Sequence, residues 1–161
     1  MKSTLNFLIT LACVVALSAC RGKNETTTVA VDSTITPSAY SATDSVVGTG
    51  TVAAAGDLVT INYTGWLYNS TATGFKGTQF ETSVGGNPTS FTLGAGNVIA
   101  GWDTGIVGMA VGGTRTLILT PSQGYGSSVV TVGTGTSAFT IPAKSGLVFD
   151  ITLVAVKKAG T

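Results

Sequence analysis

The stretch Phe91-Thr92-Leu93-Gly94-Ala95-Gly96-Asn97-Val98-Ile99-Ala100-Gly101-Trp102-Asp103-Thr104-Gly105 decides how this chain folds, because it holds the one plausible helix in a sequence otherwise patterned for strands. That helix is short, near Ile99 to Ile106. Gly101 and Gly105 make it weak on propensity, each costing about 1 kcal/mol against alanine. Trp102 lies between them, and glycine neighbours leave space for something to approach the indole. Gly94-Ala95-Gly96 is not a phosphate loop: no third glycine follows at the required spacing, and no Lys-Ser/Thr pair closes the motif.

Outward from this stretch the chain alternates short strand patterns with glycine-containing turns. In Leu58 to Thr64, Val59, Ile61 and Tyr63 share one face. In Thr114 to Thr120, Leu117 and Leu119 separate from Thr116 and Thr120, although Ile118 blurs the alternation. Leu147 to Leu153 is the clearest strand, with Leu147, Phe149, Ile151 and Leu153 facing one way. A period of two marks half-buried antiparallel strands. Pro88, Pro121 and Pro142 fall between these patterns, where a missing N–H does no harm. Patterning alone therefore predicts an antiparallel sheet with one helix, of class α+β or all-β.

Composition removes several chemistries. No histidine occurs, so imidazole acid–base work and Ser-His-Asp triads are excluded. The two cysteines, Cys13 and Cys20, both lie in the first twenty residues, which leaves the body without an internal disulfide or a thiolate cluster. We expect no cofactor and no metal. Charged residues are 9% of the chain, and losing Lys2 would leave seven basic against seven acidic residues. A neutral chain lacks the clustered cations that bind polyphosphate, so no nucleic-acid partner is expected.

The first nineteen residues read as a signal peptide: a positive start at Lys2, then a mostly apolar run from Leu5 to Ala19. That run falls short of the roughly 20 apolar residues that span a bilayer. It ends Leu17-Ser18-Ala19-Cys20, which resembles the bacterial lipobox and implies acylation at Cys20. Several acyl chains would anchor the protein to a membrane durably, where one would not. The implied location is a bacterial cell envelope, at the periplasmic face of the outer membrane if the cell has one, because Arg21 is not the retaining aspartate. Residues 20–43 are Ser/Thr-rich and poor in large apolar side chains, so they are predicted to form a flexible tether spanning roughly 25–30 Å. The remaining 44–161 is the predicted domain.

An ordered series of segments in that domain is similar to the FKBP family of peptidyl-prolyl isomerases. It begins with Gly56-Asp57 and Tyr63-Thr64-Gly65, then Thr78-Gln79-Phe80-Glu81-Thr82-Ser83 and the opening stretch through Gly105. Met109, Val111-Gly112-Gly113, Arg115, Pro121 and Gly124-Tyr125-Gly126 follow, and Ile141-Pro142 and Leu147-Val148-Phe149-Asp150 close it. The resemblance runs from about Val46 to Lys157. It implies an α+β fold, an antiparallel half-barrel sheet wrapped around one short helix, with an apolar pocket between them. Carried over residue by residue, Tyr63, Phe80, Glu81, Trp102, Tyr125 and Phe149 are the catalytic candidates, and Val98, Ile99 and Ile141 help bind substrate. Trp102 would form the floor, while the Ile99 amide and the Tyr125 hydroxyl would hold substrate carbonyls. On patterning alone Tyr63 and Phe149 read as core, whereas Tyr125 in its glycine turn reads as a surface aromatic available for binding.

Three departures from the family pattern bear on activity. Glu81 stands where the family commonly has aspartate, and Thr89 stands where an aromatic is expected soon after Pro88. Tyr68–Thr78 and Ser127–Thr140 read as long loops, the second overhanging the pocket. The function implied is isomerisation of X-Pro bonds in proline-containing, partly folded envelope proteins, by a monomer. A non-catalytic chaperone or binding module on the same fold is the alternative, and a β-rich adhesion domain is a third reading that the ordered segments oppose. The Asn-X-Ser/Thr triplets at Asn62 and Asn69 read as chance matches beside a bacterial lipobox.

Overall fold

Alternating burial along two long strands organises the computed structural model, which describes residues 35–160. In chain order the strands are β1 (Ser41–Val46), β2 (Leu58–Tyr68), β3 (Lys76–Thr82), β4 (Thr89–Thr92), β5 (Thr114–Leu119), β6 (Val130–Val132), β7 (Phe139–Ile141) and β8 (Leu147–Lys157), with one helix, α1 (Ala100–Gly105). β2 and β8 lie antiparallel at the centre, with Ile61 opposite Leu153, Tyr63 opposite Ile151 and Gly65 opposite Phe149. The main sheet runs β1-β5-β8-β2-β3, and β4 also pairs with β2, alongside Leu58 to Ile61. All of these pairings are antiparallel.

The inner face carries the alternating residues expected from the sequence. Val59, Ile61, Leu117, Leu119, Leu147, Phe149, Ile151 and Leu153 are all at or below 1% exposed. Burying a side chain of this size stabilises the fold by about 1.5–3 kcal/mol. On the outer face hydroxyls pair across strands, as in Thr64 with Thr82 at 2.8 Å and Thr114 with Thr152 at 3.0 Å, beside an apolar patch at Trp66, Ile118 and the buried Val148. Asp57, nearly inaccessible at the start of β2, accepts from the Ala54 and Ala159 amides and from Lys158. That explains the Gly56-Asp57 pair: the carboxylate ties the turn to the end of the chain.

α1 packs against the inner face through its two glycines. A side-chain carbon at Gly101 would overlap Leu119 Cδ2 and approach its Cδ1 to 2.7 Å, and one at Gly105 would stand 2.6 Å from Leu117 Cδ1. The helix is therefore poor in propensity because it must sit close to β5. Trp102, on the same helix, meets Tyr63 of β2, Phe91 of β4 and Phe149 of β8. One short helix thus touches four strands, which is the wrapped sheet that the resemblance implied.

Three local expectations change. The domain begins before residue 44: Ser41–Val46 pairs along β5, Tyr40 packs on the core, and the Gly146 amide donates to the Ile35 carbonyl at 2.9 Å. Residues 35–43 are held by partners more than 70 positions away, which local composition does not reveal. The segment Ser127–Thr140 is no plain loop, because β6 and β7 pair as a hairpin with Val130 opposite Ile141 and Val132 opposite Phe139. Between Tyr68 and Thr78 only a turn at 69–75 is irregular, since β2 and β3 extend into the expected loop. The signal peptide over 1–19, Cys20 and the rest of the tether through residue 34 lie outside the described residues.

Gly101→Ala separates propensity from packing. Alanine adds about 1 kcal/mol of helix propensity, yet the overlap with buried Leu119 costs about 1–3 kcal/mol. We expect net destabilisation, read as a lower denaturant midpoint at unchanged m-value. A midpoint at or above wild type would mean that α1 can lift from β5 freely.

Candidate functional site

Between α1 and the inner face lies a cavity of about 410 Å³. Its lining brings together Trp102, Tyr63 and Phe149 with Tyr125 and Glu81. Val98, Ile99 and the Gly96-Asn97 turn complete it. Two smaller clefts of about 250 Å³ lie elsewhere, one by Ile35 and Tyr68 and one by Asp44 and Val52, and neither contains a ring of the Trp102 cluster.

The aromatic floor is a continuous chain of rings. Tyr63 meets Trp102 edge-on at 4.7 Å between centroids, and Phe149 meets Trp102 at 5.2 Å and 83°. Phe91 stacks behind Trp102 at 6.0 Å, and Phe80 stands edge-on to Phe149 at 5.7 Å. Edge-to-face pairs of this kind contribute about 0.5–1.5 kcal/mol beyond burial. They also fix ring orientation. Gly65 makes the corner possible, since a side-chain carbon there would lie 2.7 Å from both Phe149 and Phe80.

Local hydrogen bonds deliver each wall. The Tyr63 amide donates to Ser83 Oγ at 2.9 Å, and the Tyr63 carbonyl accepts from the Ser83 amide at 2.9 Å. Ser83 closes the Thr78–Ser83 motif and clamps Tyr63 in place. Opposite, the Asp103 carboxylate accepts from the Gly94 amide at 2.8 Å and the Gly96 amide at 2.9 Å. Gly94 and Gly96 both have positive φ, 78° and 71°, which only glycine adopts cheaply. Their turn therefore presents Val98 and Ile99 to the cavity. Ile99 is the N-cap of α1, and its carbonyl accepts from the Trp102 amide at 2.9 Å. Its own N–H precedes the helix and has no intrahelical acceptor.

Glu81 lines the cavity beside Tyr63 and Tyr125 despite its longer side chain. Burial, followed by the negative charge and hydrogen bond of Glu81, pushes the Tyr63 phenol well above its ordinary 10.0. Burial and then the Glu81 charge raise the Tyr125 phenol in the same direction. Both hydroxyls thus stay protonated donors facing the cavity.

Of the nine residues singled out in the sequence, seven line this cavity: Tyr63, Glu81, Val98, Ile99, Trp102, Tyr125 and Phe149. Phe80 and Ile141 do not. They are 7% and 1% exposed and belong to the core that backs the site. The β6–β7 hairpin does not line the cavity either, and its Phe139 reaches the site through Phe80, 6.2 Å away. Thr89 is half-buried on β4, outside the lining. Sequence reasoning missed Asn97 and the supports Phe91 and Asp103. For Phe91 a signal existed in its alternation with Leu93; for Asp103 the signal was its place inside the quoted helix motif.

Comparison with known proteins gives one family. The family model of FKBP-type peptidyl-prolyl cis-trans isomerases matches residues 50–154. FK506-binding protein 1 of Aspergillus oryzae is 40% identical over 113 residues, covering 68% of this chain and 90% of the relative. FK506-binding protein 3 of Candida albicans is 42% identical over 114 residues, which is 71% of this chain but only 23% of that longer protein. Among solved structures, the crystal structure of AtFKBP13 superposes with a TM-score of 0.58 at 33% identity, covering 77% of this chain and 98% of the other.

The two raised phenols set the alkaline limit of stability. Below about pH 9 neither folded nor unfolded tyrosine ionises, so these groups leave stability unchanged. Above the ordinary value of 10.0, the unfolded chain releases protons that the folded chain keeps. The folded state then binds more protons, and stability falls as pH rises. We expect the denaturant midpoint to decline above pH 10, and to decline less steeply in Tyr63→Phe. Equal slopes in the two proteins would show that Tyr63 titrates as an exposed phenol.

Proposed function

This chain belongs to the FKBP-type peptidyl-prolyl cis-trans isomerase family, an enzyme family, and we propose that it isomerises X-Pro bonds of unfolded or partly folded proteins at a cell envelope by holding the proline in the Trp102 cavity. One observation carries the reading: the Trp102, Tyr63 and Phe149 rings meet at fixed angles at the base of an open cavity that also carries two protonated phenols.

The chemistry suits that constellation. The peptide barrier is about 18–20 kcal/mol because resonance resists twisting, and X-Pro bonds interconvert in tens to hundreds of seconds. Twisting breaks the resonance and lowers charge separation on the carbonyl. An aromatic floor disfavours the planar, dipolar ground state relative to the twisted one, and holding the proline ring while the flanking chain rotates adds positioning. The Ile99 N–H and the Tyr125 hydroxyl are the donors for the carbonyls on either side, and Glu81 fixes the Tyr63 hydroxyl. Each tenfold in rate needs about 1.4 kcal/mol less barrier, so a few such contacts suffice for useful turnover.

A proline tetrapeptide assay tests this. Wild type should accelerate isomerisation, and Phe149→Ala should lower kcat/KM by about tenfold or more, because it removes a wall and loosens Trp102. A folded wild type without turnover would make the domain a binding module instead.

The envelope part of the proposal rests on Leu17-Ser18-Ala19-Cys20 and on the Ser/Thr-rich residues that follow. Cys20 carries the lipid, and the following segment tethers the domain to the membrane. Among the described residues no helix is long and apolar enough to cross a membrane. Mass spectrometry of the membrane-extracted protein should show an acylated N-terminal Cys20, and Cys20→Ser should release the protein. An unmodified N-terminus elsewhere, or unchanged partitioning of Cys20→Ser, would overturn the anchor.

A further inference from the structure

The family match begins at residue 50, yet residues before it hold the helix that carries the floor of the site. Arg115 of β5 donates from Nη1 to the Gly105 carbonyl at 2.7 Å and to the Val107 carbonyl at 3.2 Å. These are carbonyls at the end of α1, which have no intrahelical donor. The rest of the same guanidinium forks onto Asp44 of β1, Nε to Oδ1 at 2.6 Å and Nη2 to Oδ2 at 2.9 Å. Asp44 sits directly opposite Arg115 in the β1–β5 register. Tyr40, just before β1, packs on the core, and its hydroxyl oxygen stands 2.8 Å from where a side-chain carbon on Gly105 would be.

We infer that Asp44 and Arg115 are a positioning pair for the isomerase site: strand β1 fixes the guanidinium, the guanidinium fixes the C-terminal end of α1, and α1 thereby holds Trp102 and Ile99 against Tyr63 and Phe149. The helix needs such an external hold. It has only six residues and two glycines, so its own hydrogen bonds and propensity do little to keep it in register. Its N-terminal end is already tied through Asp103 to the Gly94–Gly96 turn. Without Arg115 the Gly105 carbonyl would lose its donor, and the other end would rest on packing and on the backbone bonds between Ala53 and residues 108 and 109 just beyond it. A planar fork is the suitable group, because one guanidinium spans a carboxylate and two carbonyls at once, which an ammonium cannot do with the same geometry.

The inference builds on the proposed site, and its consequence is specific. If α1 samples positions with Trp102 displaced, only the fraction in the competent position binds and turns over, so apparent affinity and kcat/KM fall together by that fraction. A pair that only stabilised the fold would lower the melting temperature and leave the folded molecules fully active.

The test uses the full chain in a Trp66→Phe background, so that Trp102 alone emits. Asp44→Asn and Arg115→Lys are compared with Asp44→Glu, which can restore the fork, and with Val47→Ser, an exposed neighbour outside the pair. At a temperature where circular dichroism shows all of them folded, Asp44→Asn and Arg115→Lys should lower kcat/KM for a proline tetrapeptide by about three- to tenfold, with a matching loss in peptide affinity read from Trp102 emission. Both should also make unliganded Trp102 more accessible to acrylamide. Asp44→Glu should recover most of the loss, and Val47→Ser should match its parent. Lower melting temperatures with unchanged kcat/KM and unchanged quenching would overturn the inference. An inactive wild type would count against the proposed function alone, because quenching in the unliganded chain still reads the position of Trp102.

Discussion

The close approach of α1 to β5 is the constraint from which the rest of the structure follows. Gly101 and Gly105 lie one turn apart on one helix face, over Leu119 and Leu117 respectively. Any larger residue would push the helix away from the sheet. Trp102, on an adjacent helix position, would then lose contact with Tyr63 and Phe149, whose ring centroids stand 4.7 Å and 5.2 Å away. The glycines cost about 1 kcal/mol each in helix propensity, and the burial they allow outweighs it: an aromatic residue buries about 150–250 Å², worth several kcal/mol at about 25 cal/mol per Å². A poor helix in the right place is more stabilising here than a good one further out.

The same rings that make the core make the site. Phe149 is 1% exposed and yet borders the cavity, and Tyr63 and Trp102 are less than a tenth exposed. Their positions are therefore set by the packing of Phe80, Phe91 and Phe139 behind them, none of which lines the cavity. This is a rigid arrangement for a reaction that needs the substrate, not the enzyme, to move. The Trp102 indole N–H, buried and unpaired among the described residues, is the one polar atom that this packing leaves unsatisfied. Its cost, of order 1–3 kcal/mol, is what the fold spends to set an indole in the cavity lining.

How much of this could be read beforehand depended on the range of the interactions. The strands around Val59-Ile61-Tyr63 and Leu147 to Leu153 were legible because alternation is a local signal, and it held along both except at Val148, which is buried on the other face. The site was legible as an ordered series of motifs, and seven of nine chosen residues line one cavity. Phe80 and Ile141 lie outside that lining, and Phe80 reaches it through its edge-on contact with Phe149. The tether boundary failed for another reason. Ile35 and Asp44 find their partners at Gly146 and Arg115, 111 and 71 positions along the chain, and no window of local composition reports such pairings. The hairpin was hidden by its glycines and threonines, which read as loop until Val130 and Val132 find Ile141 and Phe139 across from them.

Glu81 keeps its electrostatic place despite the extra methylene: it lines the cavity with Tyr63 and Tyr125, and its charge raises both phenols. Burial is the larger cause of both shifts, and the Glu81 charge adds to it. The same carboxylate makes the cavity lining partly polar. Gly96 and Asn97, also in the lining, add no aromatic cover. On the proposed reading, desolvation therefore supplies only part of the catalysis. The larger share falls to position: an indole packed among rings, a Tyr63 backbone clamped by Ser83, and a short helix tied through Asp103 and Arg115.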